Sequence, residues 1–219
     1  MKYKFIFDLD NTLYSESEYL YLIIKKFAEI TKKEIPRSIN SQFIEERLDR
    51  RKNDVLSNLY LTVYGEIPMK WEHELLFYLY KTLQAKNQIQ LYHGCEEVLK
   101  FCSILGDNIM LTNGHREVQL NKIRCLGLEK YFNDIIILDN INFQKSNIEV
   151  WNQLIKKNVS HEDIFMIGDD PVNDIAPAKL LGIKTIRLKK GFFKLEKSDA
   201  DYEVKEIKEV KSVITNLLK

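Results

Sequence analysis

A chain of 219 residues that is 45% hydrophobic and 30% charged carries enough apolar material for one buried core, with room for an insert. Its 33 basic and 32 acidic side chains leave a net charge of +1, which excludes a strong field aimed at a nucleic acid polymer or an anionic membrane. Cys95, Cys102 and Cys125 fit neither a zinc site nor a disulfide framework, and neither a signal segment nor a bilayer-length apolar run is seen, so a reducing cytoplasm is expected.

In chain order, "KFIFDLDNTLY" (4–14) runs an aromatic and aliphatic stretch into two acids one residue apart, and predicts a buried strand with polar residues at its carboxyl end. Three long segments of helical period follow, 15–33, 41–65 and 69–86, punctuated by Pro36, Gly65 and Pro68. They predict an inserted helical unit over 16–89, after which "QLYHG" (90–94) returns the chain to a core made of 1–15 and 90–219. Further apolar runs come at "NIMLTNG" (108–114), "DIIILDN" (134–140), "DIFMIGDD" (163–170) and "IKTIRL" (183–188). Rich in Ile, Leu and Phe without alternation, they predict strands covered on both faces. With helix-like patterns between them, the fold class expected is α/β, a doubly wound parallel sheet. Residues 200–219 read as a short edge strand and a closing amphipathic helix.

Ligands of such sheets sit beyond the carboxyl ends of the strands. Asp8, Asp10 and Thr12 follow the first strand, Thr112, Asn113 and Gly114 the second, Lys145 the third, and Asp169, Asp170 and Asp174 the fourth. So many carboxylates on one edge repel one another unless a cation neutralises them, and hard oxygen donors suit Mg²⁺. A lysine among them can hold a carboxylate nucleophile in its charged form and meet the oxygens of a phosphate. A carboxylate there can attack phosphorus and split the transfer into two displacements, while a second acid exchanges the proton with leaving group and water.

Taken together and in this order, "DLDNT", "LTNG", Lys145 and "GDDPVND" resemble the four motifs of the haloacid dehalogenase-like hydrolase superfamily, over nearly the whole chain. The resemblance implies Asp8 as nucleophile and Asp10 as general acid/base, with Asp8, the Asp10 backbone carbonyl and Asp169 holding magnesium. It implies that Thr112, Asn113 and Lys145 bind the phosphoryl group, and that Asp174 reaches the metal through water or orients Lys145. The insert matches the position of the family's helical type 1 cap, whose loops bound the pocket. "DNTLY" and "TNG" are most similar to the branch of pyrimidine 5'-nucleotidases and N-acylneuraminate-9-phosphatases. Dehalogenase members lack the second acid of the first motif, so Asp10 implies phosphate chemistry. The expectation is a magnesium-dependent phosphomonoesterase, monomer or homodimer, hydrolysing a small nucleoside monophosphate or sugar phosphate; a phosphomutase and a non-catalytic binding module are the alternatives.

Asp170 reads equally as a cap of the turn before Pro171 and as a metal ligand. Arg47, Arg50 and Arg51 read first as a solvated helix face and second as cations placed over the pocket. Tyr14, Glu16 and Glu18 are accounted for by capping and packing and stay outside the predicted site, as does His115, read as a solvent-facing residue.

Overall fold

The computed structural model describes residues 3–52, 54–140, 143–155 and 160–218. From β1 (Tyr3–Phe7) the chain enters four helices, α1 (Glu16–Thr31), α2 (Ser41–Arg47), α3 (Val55–Tyr64) and α4 (Lys70–Thr82). It then alternates through α5 (Cys95–Leu105), β2 (Gly106–Asn113), α6 (Arg116–Leu126), β3 (Asp134–Leu138), α7 (Ile148–Leu154), β4 (Ile164–Gly168), α8 (Ala176–Leu180), β5 (Lys184–Leu188), β6 (Tyr202–Val204) and α9 (Glu209–Leu217). The strands form a single parallel sheet ordered β3-β2-β1-β4-β5-β6.

Successive strand residues point to opposite faces, and both faces are covered. Phe5, Phe7, Met110, Phe165 and Ile167 pack with Val98 and Leu99 of α5, Val118 and Ile123 of α6 and Val210 and Ile214 of α9. Ile6, Ile109, Leu111 and Met166 pack instead with Val150 and Trp151 of α7 and Ala178 of α8. Strands buried on two sides need no polar face, hence the unbroken apolar runs in the sequence. A parallel sheet collects its carboxyl ends along one edge, and β1 and β4 are hydrogen-bonded neighbours there, with Phe7 opposite Ile167.

The four helices after β1 bury Tyr19, Leu20, Ile23, Ile24 and Phe27 of α1 against Ile44, Leu59, Tyr60, Leu76 and Leu79, a small apolar core continuous with that of the sheet. Most of the tyrosine-rich pattern is thereby internal, although Tyr78 and Trp71 remain exposed. The chain leaves and re-enters the sheet side by side: Tyr14 bridges Leu91, and the Tyr92 amide donates to the Leu13 carbonyl at 2.8 Å.

One segment of helical period is divided. The segment 41–65 is not one helix but two, because α2 ends at Leu48, whose backbone is extended, and Asp54 starts α3 by accepting from the Leu56 and Ser57 amides. Capping satisfies amides that a helix start leaves without partners, and Asp49 accepts from the Arg51 amide to turn the intervening loop. Arg50 and Arg51 therefore lie on a loop, and only Arg47 ends on an exposed helix position. Among the described residues no helix is long and apolar enough to cross a membrane.

Candidate active site

The Asp8 amide still donates to the Ile167 carbonyl of β4, so the acid is fixed at the strand end. The chain then reverses through Asn11, which adopts a left-handed conformation at φ 58° that Asn tolerates better than most residues, and the Asn11 side chain accepts from the Glu16 amide at 3.2 Å. This turn sends Asp8 and Asp10 into different surroundings.

Asp8 faces carboxylates. One oxygen accepts from Lys145 Nζ and the other from the Thr12 hydroxyl at 3.2 Å. Lys145 Nζ also donates to Asp174 Oδ1 at 2.6 Å, and Asp174 Oδ2 accepts from the Asp170 amide at 3.1 Å. Carboxylate oxygens of Asp8, Asp169 and Asp174 lie within 4.8 Å of one another, all three residues buried. Asp174 comes this close because position 168 is glycine: a Cβ there would stand 2.3 Å from Asp174 Oδ2. Asp169 Oδ2 is buried without a hydrogen-bond partner among the described residues. An orphaned carboxylate oxygen within a dense cluster of hard donors is what a divalent cation resolves, so the residues present fit Mg²⁺. In the ion-free protein, burial with Asp174 and Asp10 nearby lifts the Asp8 pKa to about 8 against the pull of Lys145. Burial and the charges of Asp8 and Asp174 likewise push Asp169 well above the carboxylate range.

Asp10 faces donors. Its Oδ1 accepts from Tyr14 Oη at 2.5 Å and Lys122 Nζ at 2.8 Å, and its Oδ2 from Gln119 Nε2 at 2.9 Å. Burial alone would raise its pKa, but Lys122 beside it, with Tyr14 and Gln119 donating, holds it below the usual carboxylate range. The Asp10 carboxylate thus stands outside the Asp8–Asp169–Asp174 cluster, and any metal contact from this residue would come from its backbone. Gln119 also donates to the Thr112 hydroxyl at 2.7 Å, which ties the second motif to Asp10. Asn113 Oδ1 accepts from the Lys145 amide at 3.0 Å and holds the lysine-bearing segment in place.

Asp8 and its carboxylate neighbours, with Asp10, Thr112, Asn113 and Lys145, line a cavity of about 270 Å³ at the sheet edge, roofed by Arg50, Arg51 and Lys52 of the α2–α3 loop. Glu16 takes Arg50 in a bidentate pair, Nε to Oε2 and Nη2 to Oε1, each 3.0 Å. Arg51 takes Asp170 in a second one, both oxygens at 2.9 Å, reaches Glu196 Oε2 at 2.6 Å and lies over the Phe193 ring. Asp170 also caps the turn that follows it, accepting from the amides of Val172 and Asn173. The solvated-helix reading of the arginine run is corrected for Arg50 and Arg51: both stand over the pocket, where each is paired with a carboxylate.

The structure brings Asp8, Asp10, Thr112, Asn113, Lys145, Asp169 and Asp174 together around this cavity. Sequence reasoning missed Tyr14, Glu16, Gln119 and Lys122. The signal for the last two was their place in α6: Lys122 falls one turn after Val118 and beside Ile123, on the buried face of the helix, where a polar residue needs a partner.

A family model for haloacid dehalogenase-like hydrolases matches residues 5–188. Among curated proteins, the glyceraldehyde 3-phosphate phosphatase of Methanocaldococcus jannaschii is 24% identical over 98% of this chain and 97% of its own length. Among solved structures, magnesium-bound YfnB of Bacillus subtilis superposes with a TM-score of 0.74 at 20% identity, covering 98% of this chain and all of that one. The L-2-haloacid dehalogenase of Xanthobacter autotrophicus also shares the fold, with a TM-score of 0.64 at 13% identity over 98% and 99% of the two chains. Fold likeness therefore leaves the reaction open to the site residues. With its sheet order, its motif residues at one edge and the match over residues 5–188, this chain belongs to the haloacid dehalogenase-like hydrolases.

Proposed function

We propose that this hydrolase is a phosphomonoesterase for small sugar phosphates of the triose class, using Mg²⁺ and an aspartyl-phosphate on Asp8. The observation that carries the reading is the ion-paired set Asp8–Lys145–Asp174 beside the unpartnered Asp169 oxygen, facing the same cavity as Asp10. Magnesium, held by Asp8, Asp169 and the Asp10 backbone carbonyl, would supply charge to offset that of the phosphoryl group as it transfers.

The chain's own residues do the rest. The Asp8 carboxylate attacks phosphorus, forming the new O–P bond as the bond to the substrate's alkoxy oxygen breaks. Lys145 Nζ favours the charged form of the nucleophile against the effect of burial and meets the phosphoryl oxygens, joined by the Thr112 hydroxyl and the Asn113 segment. Asp10 hands a proton to the departing oxygen, then takes one from the water that cleaves the acyl phosphate and restores Asp8. Its donors hold Asp10 ionised when the site is free, a state suited to the second step, and an incoming phosphate dianion opposes them and favours its protonation for the first.

Two observations favour a short substrate. A cavity of about 270 Å³ is below the roughly 300–1,000 Å³ of sites for drug-sized ligands, which suits a three-carbon ester better than a nucleotide. The similarity to a glyceraldehyde 3-phosphate phosphatase supports the same class and moves the first expectation away from nucleotidases. The test is phosphate release from triose phosphates, phosphoglycolate and nucleoside monophosphates, with magnesium or chelator. The expected result is metal-dependent turnover that favours the three-carbon esters and that Asp8→Asn reduces by at least about 10⁴-fold, as for the loss of a covalent nucleophile. Full activity in Asp8→Asn would discard the mechanism, and turnover only with a bisphosphate activator would indicate a phosphomutase.

A further inference from the structure

Behind Asp10 the polar groups form a line of alternating charge that crosses from the sheet to the helical insert. Asp10 pairs with Lys122 at 2.8 Å, Lys122 stands 3.8 Å from Glu16, and Glu16 is gripped by Arg50 through two bonds of 3.0 Å. The two middle members are sealed in, Lys122 at 0% and Glu16 at 1% side-chain exposure. Lys122 thus has two acids within reach and binds one of them more closely. Tyr19 and Tyr80 present their rings to its ammonium from the insert, at 5.4 Å each, so the lysine has no route to water.

We infer that Arg50 is a positioning residue for Asp10, acting through Glu16 and Lys122. A buried carboxylate must be neutralised, and Arg50 does this for Glu16 in the bidentate geometry that only an arginine offers. Lys122 is then free to hold the Asp10 carboxylate in place together with Tyr14 and Gln119. Without the guanidinium, Glu16 takes Lys122 as its remaining cation, a displacement of about an ångström by the 2.8 and 3.8 Å separations, and Asp10 loses its charged anchor. Arg50 sits on the α2–α3 loop that roofs the cavity, so the insert aligns the acid/base as well as covering it. The catalytic consequence rests on the phosphatase reading; the exchange of partners does not.

Two variants and two readouts test this. In Arg50→Gln, kcat on a triose phosphate is expected to fall about 10- to 100-fold, a part of the roughly 10²–10⁴-fold that a general acid–base group supplies, with little change in KM. In Glu16→Gln/Arg50→Gln the competing charge is gone, so Lys122 returns to Asp10 and at least about half of the lost activity, on a logarithmic scale, is restored by this coupling. A crystal structure of Arg50→Gln is expected to show Lys122 Nζ against Glu16 rather than Asp10. A double variant as slow as the single one, or a raised KM with unchanged kcat, would make Arg50 a substrate contact and overturn the inference. So would a lysine still on Asp10 in the variant structure. If the wild type turned over no phosphoester while that structure showed the exchange, the function would fail and the relay would stand. Should Arg50→Gln not fold, Arg50→Lys serves, with a smaller fall in kcat and the same rescue by Glu16→Gln.

Discussion

Asp8 sits among carboxylates and Asp10 among donors, and the difference sets what each does with a proton. With its pKa lifted to about 8 by burial, Asp8 in the metal-free fold keeps a proton that the unfolded chain, at 3.8, releases. Between these values the native state binds more protons than the unfolded one, so this group's contribution to stability falls as pH rises from about 4 to about 8. A bound cation replaces the proton and removes the penalty, so magnesium is expected to raise the melting temperature more at pH 8 than at pH 5. Thermal melts with magnesium and with chelator at the two pH values check this; equal shifts would take Asp8 out of the coordination sphere. The motif acids were legible because each follows an apolar run directly, and their chemistry needs only that the strands be parallel. Lys122, Gln119 and Glu16 were not. The first two meet Asp10 from more than 100 positions away in sequence, so their place beside the apolar residues of α6 marks them as needing a partner without saying which.

At the scale of elements, the strands were legible from their unbroken apolar composition, and β2, β3, β4 and β5 fall where the runs at 108–114, 134–140, 163–170 and 183–188 placed them. The helix break at 48–54 was not, since Leu48, Val55, Leu56 and Leu59 keep a helical period across it. What decides against one helix is local polar chemistry: Asp54 accepts from the amides of Leu56 and Ser57, and Asp49 from that of Arg51. Asp54→Ala distinguishes the two arrangements. As an N-cap, Asp54 is worth about 1 kcal/mol, so its loss is expected to lower the melting temperature by roughly 2–4 °C for a chain of this size. In a continuous helix the same change would be neutral or stabilising, because alanine is the better helix former. A melting curve unchanged or shifted upward would therefore speak against the loop that carries Arg50 and Arg51.

Across the whole molecule, the insert and the sheet portion of the chain meet through charged contacts, one of them at the cavity. Arg51 joins the α2–α3 loop to Asp170 and Glu196, Lys194 pairs with Glu45 at 2.6 Å, and Lys81 with Glu117 at 3.1 Å. Arg187, fully buried, fastens the far side of this clasp: it donates to the carbonyls of Asp169, Phe193 and Glu196, so the loop that receives Arg51 is anchored to the fourth motif. Partly exposed pairs are screened by salt, whereas the buried Lys145–Asp8 and Lys122–Asp10 pairs are shielded from it. Raising ionic strength is therefore expected to loosen the roof before it touches the chemistry, increasing KM more than it lowers kcat. A charged substrate also binds less well in salt, and Arg51→Ala separates the two effects. If the clasp contributes, the variant starts with a higher KM and a flatter dependence of log KM on log salt than the wild type, each bridge being worth about 0.2–1 kcal/mol. Parallel plots for the two proteins would assign the whole salt effect to the substrate's own charge and leave Arg51 no part in closing the site.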